Sequence, residues 1–191
     1  EVLRAAEQIR QRFKLEKPGE TGMFGKVIAA AELTERIGLQ EDTNLSHSRR
    51  ILLLEESVSL FQPAKHQQLI ELVLDRYLAD YETPKPGVPR FLLNDVVRYW
   101  RTMAVDYQAK RWEKLEPEWG LRYLKLIVSR KLSFAGALVP LFLCDSATVE
   151  HLRSEFEKPP LARLAALHAR LEPELLDSLR VVFQIAEEFA S

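Results

Sequence analysis

The chain has 191 residues, 27 basic and 28 acidic side chains, a formal net charge of -1, and a composition that is 47% hydrophobic and 29% charged. That length supports one domain with a real core, or two small ones. The near-neutral balance gives no global pull toward nucleic acid or an anionic membrane, and a lone cysteine, Cys144, excludes an internal disulfide and a cysteine-based zinc site.

A single thiol fits a reducing compartment, so a cytoplasmic location is expected. Glycine is sparse and no segment alternates with a strand's period of two, so the expected fold is all-α. It is read as a helical bundle of about eight or nine helices in a single domain over 1–191. The first helix, 2–15, is amphipathic and lacks the apolar centre of a secretory signal. A glycine-containing loop leads to a second helix over 26–37, stopped by Gly38. Asp42, Thr43 and Asn44 offer N-caps for a third over 45–61, and Pro63 suits the first position of a fourth, ending near Tyr81. Residues 82–89, ETPKPGVP, form the clearest internal break and could separate two subdomains. A fifth helix spans 90–114. Pro117 opens a sixth, with a bend expected at Gly120 or Pro140. Its apolar run 132–144 is shorter than the ~20 residues a membrane helix needs, so it reads as a buried core helix. Asp145 and Ser146 would cap a short helix ending before Pro159-Pro160, and two amphipathic helices follow, 161–171 and 173–189.

Charge placement gives the strongest functional signal. At 100° per residue, Leu92, Val96, Val97, Tyr99, Trp100, Met103 and Ala104 share one arc of the fifth helix. Trp100 and Leu126 are therefore expected in the core. Asn94, Asp95, Arg98, Arg101, Thr102 and Asp106 share the opposite arc. The polar arc is what any surface helix shows, and Asp95–Arg98 is an ordinary i,i+3 pair. The sixth helix is harder to explain that way. From 121 to 139 it is apolar nearly all round, yet Arg122, Lys125, Ser129 and Ser133 fall in one narrow stripe. Cations there need carboxylate partners or an anionic ligand. If the two helices pack antiparallel, both stripes face one cleft. Arg98, Arg101, Arg122 and Lys125 would gather positive charge, Asp95 and Asp106 would partner them, and Thr102 and Ser129 would supply hydroxyls. Such a cleft suits a nucleotide phosphate or another polyanion.

Other motifs are weaker. The loop Gly19-Glu-Thr-Gly22-Met-Phe-Gly25-Lys26 has one residue too many for a P-loop, lacks the Ser or Thr after the lysine and follows a helix. Gly25 and Lys26 could still attract an anion at a helix N-terminus. Arg163 and His168 have the R-x4-H spacing of helical ribonucleases of the HEPN class, a short pattern that arises readily on a polar helix face. His47, His66 and His151 show no metal-ligand spacing and read as surface residues.

The blocks FLLNDVVRYWRTMAVDY and WGLRYLKLIVSRKL, with TGMFGKVIAAAELTERIG and DTNLSHSRRILLLEES before them, resemble bacterial nucleotidyltransferases of the polymerase-β type. The resemblance covers about 21–143. It implies an α-helical region C-terminal to a catalytic domain that carries a Gly-Ser turn and a D-x-D pair for Mg²⁺. This chain carries neither: Asp42-Thr43-Asn44 is D-x-N with no strand before it, and Asp75 and Asp80 are five apart. The resemblance therefore implies either a catalytic domain upstream of Glu1 or a stand-alone helical relative. It implies ligand- or partner-facing roles for Asp95, Arg98, Arg101, Thr102, Asp106, Arg122, Lys125 and Ser129.

The expected function is a helical substrate-binding or accessory region that binds a nucleotide or anionic acceptor and is not catalytic alone. The alternatives are a helical protein–protein interaction module and a HEPN-like ribonuclease. No cofactor is expected in this chain, Mg²⁺ only with an upstream catalytic domain. The expected partners are a nucleotide or other anion, a protein partner or an upstream nucleotidyltransferase domain, and no membrane.

Overall fold

The computed structural model describes residues 2–15, 27–79, 87–113, 119–143 and 147–190. Among the described residues every regular element is helical and no strand occurs, as the hydrophobic period requires. The glycine loop containing Gly19, Gly22, Gly25 and Lys26, most of the 82–89 break, Pro117, Cys144, Asp145 and Ser146 lie outside the described residues.

In chain order the helices are α1 (Val2–Arg12), α2 (Ala30–Thr34), α3 (Asn44–Glu56), α4 (Pro63–Leu78), α5 (Arg90–Glu113), α6 (Trp119–Leu124), α7 (Lys131–Phe142), α8 (Val149–Phe156), α9 (Pro160–Ala165) and α10 (Pro173–Ala190). A π-helical stretch, Lys125–Arg130, joins α6 to α7, and a 3-10 turn, Ala166–Ala169, extends α9. Local chemistry sets the starts. Thr43 caps α3 by accepting from the Ser46 amide at 3.2 Å, and Thr148 caps α8 by accepting from the His151 amide at 3.2 Å. Pro63 begins α4. The second helix is shorter than expected. It ends at Thr34, and turns carry the chain to Gly38, whose φ of 74° is cheap only for glycine. A Cβ there would also meet the Phe91 ring at 2.7 Å.

The core lies where α3, α4 and α5 meet α7 and α8. Ile51, Leu54, Val73, Leu74, Leu92, Val96, Leu141 and Leu152 are fully or almost fully buried in it. Gly136 lets α9 press onto α7, since a Cβ at that position would lie 2.6 Å from the Pro160 carbonyl oxygen. Pro140 sits inside α7, where the loss of one backbone donor is offset by its burial.

A polar knot sits inside this apolar packing. The Arg50 guanidinium is fully buried and donates to both Asp42 oxygens, at 3.0 and 2.6 Å. It also donates to Asp95 Oδ2 at 3.3 Å and to the Tyr77 hydroxyl at 2.7 Å, and that hydroxyl donates to Asp95 Oδ2 at 2.7 Å. Burial opposes the charge on Arg50, but Asp42 and Tyr77 together hold its pKa above the ordinary value. His47 Nε2 lies 2.9 Å from the Asp95 backbone oxygen, and burial lowers the pKa of its ring, so the imidazole is neutral at pH 7. These contacts tie the start of α3 to α4 and to the N-terminal part of α5.

Three expectations are corrected here. His47 is a core residue and His66 is half-buried, its ring 2.7 Å from the Ser57 hydroxyl, so of these three histidines His151 alone faces the surface. Asp95 belongs to the knot and makes no pair with Arg98; its carboxylate points at Arg50 and Tyr77 across the bundle. Trp100 on α5 and Leu126 on the π-helical stretch are half-buried. Trp100 stacks on Phe134 with ring centroids 5.4 Å apart. Trp100→Ala is accordingly expected to cost less than a full core truncation, about 2–3 kcal/mol. A urea midpoint that does not move would show that the stack contributes nothing.

Candidate functional site

The cleft lies between α5 on one side and α6 with the π-helical stretch on the other, floored by the start of α3. It encloses about 550 Å³. Thr102, Asp106 and Lys110 reach it from α5, Arg122 from α6, Lys125, Leu126 and Arg130 from the π-helix, and Asn44 and Ser48 from α3. Tyr99, Met103 and Tyr107 supply an apolar and aromatic wall. Four cations therefore face one space in which Asp106 is the sole lining carboxylate among the described residues. Asp106 accepts from Lys110 at 2.6 Å.

The π-helix explains this charge density. In an α-helix, residues five apart point about 140° away from each other. In a π-helix the i→i+5 bond widens the turn, which brings residues five apart round toward one face. Lys125 and Arg130, the first and last residues of the stretch, thus share the cleft wall. Ser129 is exposed and does not line the cleft. Arg130 also reaches Glu56 at 3.5 Å.

Behind Tyr107 lies an aromatic corner with Trp119 and Tyr123. The Tyr107 ring lies edge-on to Trp119 at 5.8 Å and tilted against Tyr123 at 6.2 Å, and the Arg122 guanidinium sits 5.6 Å over the Trp119 ring. Burial raises the pKa of the Tyr99 hydroxyl although Arg130 opposes the shift, so it stays protonated as a neutral donor.

Of the residues expected to gather, the structure brings together Thr102, Asp106, Arg122 and Lys125. Arg98 is at the α3 edge, donating to Asn44 Oδ1 at 2.8 Å. Asp95 is in the core knot, and Arg101 and Ser129 are exposed outside the lining. Lys110, Arg130, Tyr99, Tyr107 and Asn44 are cleft residues that were not expected. Lys110 carried a signal, because it stands i+4 from Asp106 on the same helical face.

The Arg163–His168 pair is divided between core and surface. Arg163 is fully buried, donating to the carbonyls of Lys158 at 3.0 Å and Glu55 at 2.7 Å, with Phe156 5.2 Å from its guanidinium carbon. His168 is exposed on the 3-10 turn. A guanidinium committed to core carbonyls cannot hold a phosphate at the surface. Beside it, the Glu55 carboxylate is buried with neither oxygen hydrogen-bonded, and burial pushes its pKa up to about 8 against the opposing pull of Arg163.

No group of three His, Cys, Asp or Glu side chains that could hold a metal ion occurs among the described residues, and none of the described helices is long and apolar enough to cross a membrane. Comparison of the chain with protein-family models, with curated proteins and with solved structures finds no match.

Proposed function

We propose that the cleft binds the phosphate of a nucleotide or of an anionic acceptor, and that this helical chain is the substrate-binding or accessory region of a nucleotidyltransferase-type protein. The observation that supports the binding reading is the convergence of Lys110, Arg122, Lys125 and Arg130 on one space with Asp106 as the lining acid. Arginine forks and lysine ammonium groups suit phosphate oxygens. Tyr99 and Tyr107 in the cleft wall offer aromatic surface for a base. The nucleotidyltransferase assignment rests on the sequence blocks alone. In this reading the chain positions its ligand, and any phosphoryl transfer would use a D-x-D pair outside it.

The test is calorimetric titration of the chain with a nucleoside triphosphate. Lys125 and Arg130 are exposed, so the double change Lys125→Ala/Arg130→Ala should leave the melting temperature within a few degrees. It should weaken binding by roughly 10–100-fold, since hydrogen bonds to charged groups are worth about 1.5–3 kcal/mol. No heat of binding in the unchanged protein would contradict the proposal.

A further inference from the structure

The helix from α6 through α7 is apolar nearly all round, which in a folded protein means burial on every side. One of its sides is open. Together with α10, the π-helix and α7 form an apolar groove of about 340 Å³, with Ile127, Leu132, Val182 and Ile185 on its walls and Leu179 at its base. Ile185 is 47% exposed.

The same fold leaves one helix with an apolar face in solvent. In α1 and the turn that continues it, Ile9 is 54% and Phe13 64% exposed. At 100° per residue Ala5, Ile9 and Phe13 lie on one stripe, the i, i+4, i+8 spacing of a helix that docks into a groove. An isolated helix of 11 residues is marginal in water, so α1 gains its stability from whatever it packs against.

The charges of the two elements are opposite. Residues 2–15 carry Arg4, Arg10, Arg12 and Lys14 against the single acid Glu7. Helix α10 carries Glu174, Asp177, Glu187 and Glu188 against the single base Arg180. On the α10 wheel Glu174, Asp177 and Glu188 fall on the arc beside Ile185, the open lip of the groove. A basic amphipathic helix laid in this groove would place its apolar stripe on the floor and its arginines along an acidic lip. Among the described residues, none from the chain's own α1 lines the groove.

We propose that α1 of one copy docks in the α7–α10 groove of a second copy, and that the reciprocal contact forms a two-fold dimer. The exchange covers two apolar faces at once and pairs opposite charges in both halves. It is independent of the phosphate cleft, which opens on the other side of the π-helix between α5 and α6.

Sedimentation velocity of the full chain, run across the micromolar range, tests the dimer. The unchanged protein should sediment as a dimer. Phe13→Asp and Ile185→Asp should each sediment as monomers with an unaltered helical circular-dichroism signal, since both side chains are exposed within one copy. A monomeric unchanged protein overturns the proposal, as does a dimer that survives both substitutions. Mixing a Phe13→Cys chain with a tagged Ile185→Cys chain, both as Cys144→Ser, should give a disulfide between chains of different mass. A chain carrying both cysteines that closes only on itself would assign the groove to its own α1 and contradict the exchange.

Discussion

Arg50→Met is expected to destabilise the protein by about 3–5 kcal/mol, the range for removing one partner of a buried ion pair. Among the described residues Arg50 is the one cation bonded to the buried carboxylates Asp42 and Asp95, and it also bonds the Tyr77 hydroxyl. Its loss would strand negative charge where water cannot reach, and methionine would fill the space without replacing a donor. Neutralising the acids together with the cation should recover part of the loss, because the cost comes from uncompensated charge rather than from lost volume. The triple variant Asp42→Asn/Arg50→Met/Asp95→Asn is therefore expected to unfold at a higher urea concentration than Arg50→Met alone. A midpoint for Arg50→Met equal to that of the unchanged protein would show that the knot does not hold α3, α4 and α5 together.

Glu55→Gln is expected to raise stability in mild alkali. The Glu55 carboxyl holds its proton up to about pH 8 in the folded chain, against an ordinary value of 4.5, because it is buried without a hydrogen-bond partner. With a raised folded pKa, the native state binds more protons than the unfolded state between those values. Stability is then fully present below pH 4.5 and is lost as pH rises toward 8. At ~1.4 kcal/mol per pKa unit, the unchanged protein should lose about 3 kcal/mol between pH 5.5 and 8.5 through this group. Glutamine keeps the shape and does not ionise, so Glu55→Gln should be the more stable protein at pH 8.5, with the gap shrinking at pH 5.5. Parallel pH profiles for the two proteins would mean that Glu55 ionises freely in the fold, paired with Arg163.

The fold was legible because helical periodicity is local. The caps at Thr43, the proline at α4 and the span of α5 all follow from residues within a turn of each other. Thr148, not Asp145 or Ser146, caps α8, an error of a few residues of the kind that boundaries invite. The polar knot was not legible. Arg50 and His47 stand in a helix with ordinary surface composition, and only the arrival of Asp95 and Tyr77 from distant segments makes them interior residues.

The candidate site was legible in half. Arg122 and Lys125 stood out as cations in an apolar helix, and the antiparallel return of α6 against α5 brings them to the face of Thr102 and Asp106. An α-helical period from Lys125 leads to Ser129 and leaves Arg130 on another face. The chain widens into a π-helix at Lys125, which turns Arg130 toward the cleft. No residue pattern announces that register change. The apolar side of the same helix was expected inside the core, yet Leu121, Leu124 and Ile127 are exposed, because α10 covers only part of it. Periodicity tells which face is apolar, not whether the chain itself supplies the cover.

The most direct measurement for the phosphate cleft is lysine protection. The chain is acetylated briefly with and without a saturating nucleoside triphosphate, and each lysine is quantified by mass spectrometry. Lys110 and Lys125 line the cleft, whereas Lys65 and Lys158 are exposed elsewhere and serve as internal controls. The account predicts that the nucleotide slows modification of Lys125, and of Lys110 to a smaller degree because Asp106 already holds it, while Lys65 and Lys158 react at unchanged rates. Equal modification of all four lysines with and without nucleotide would contradict it.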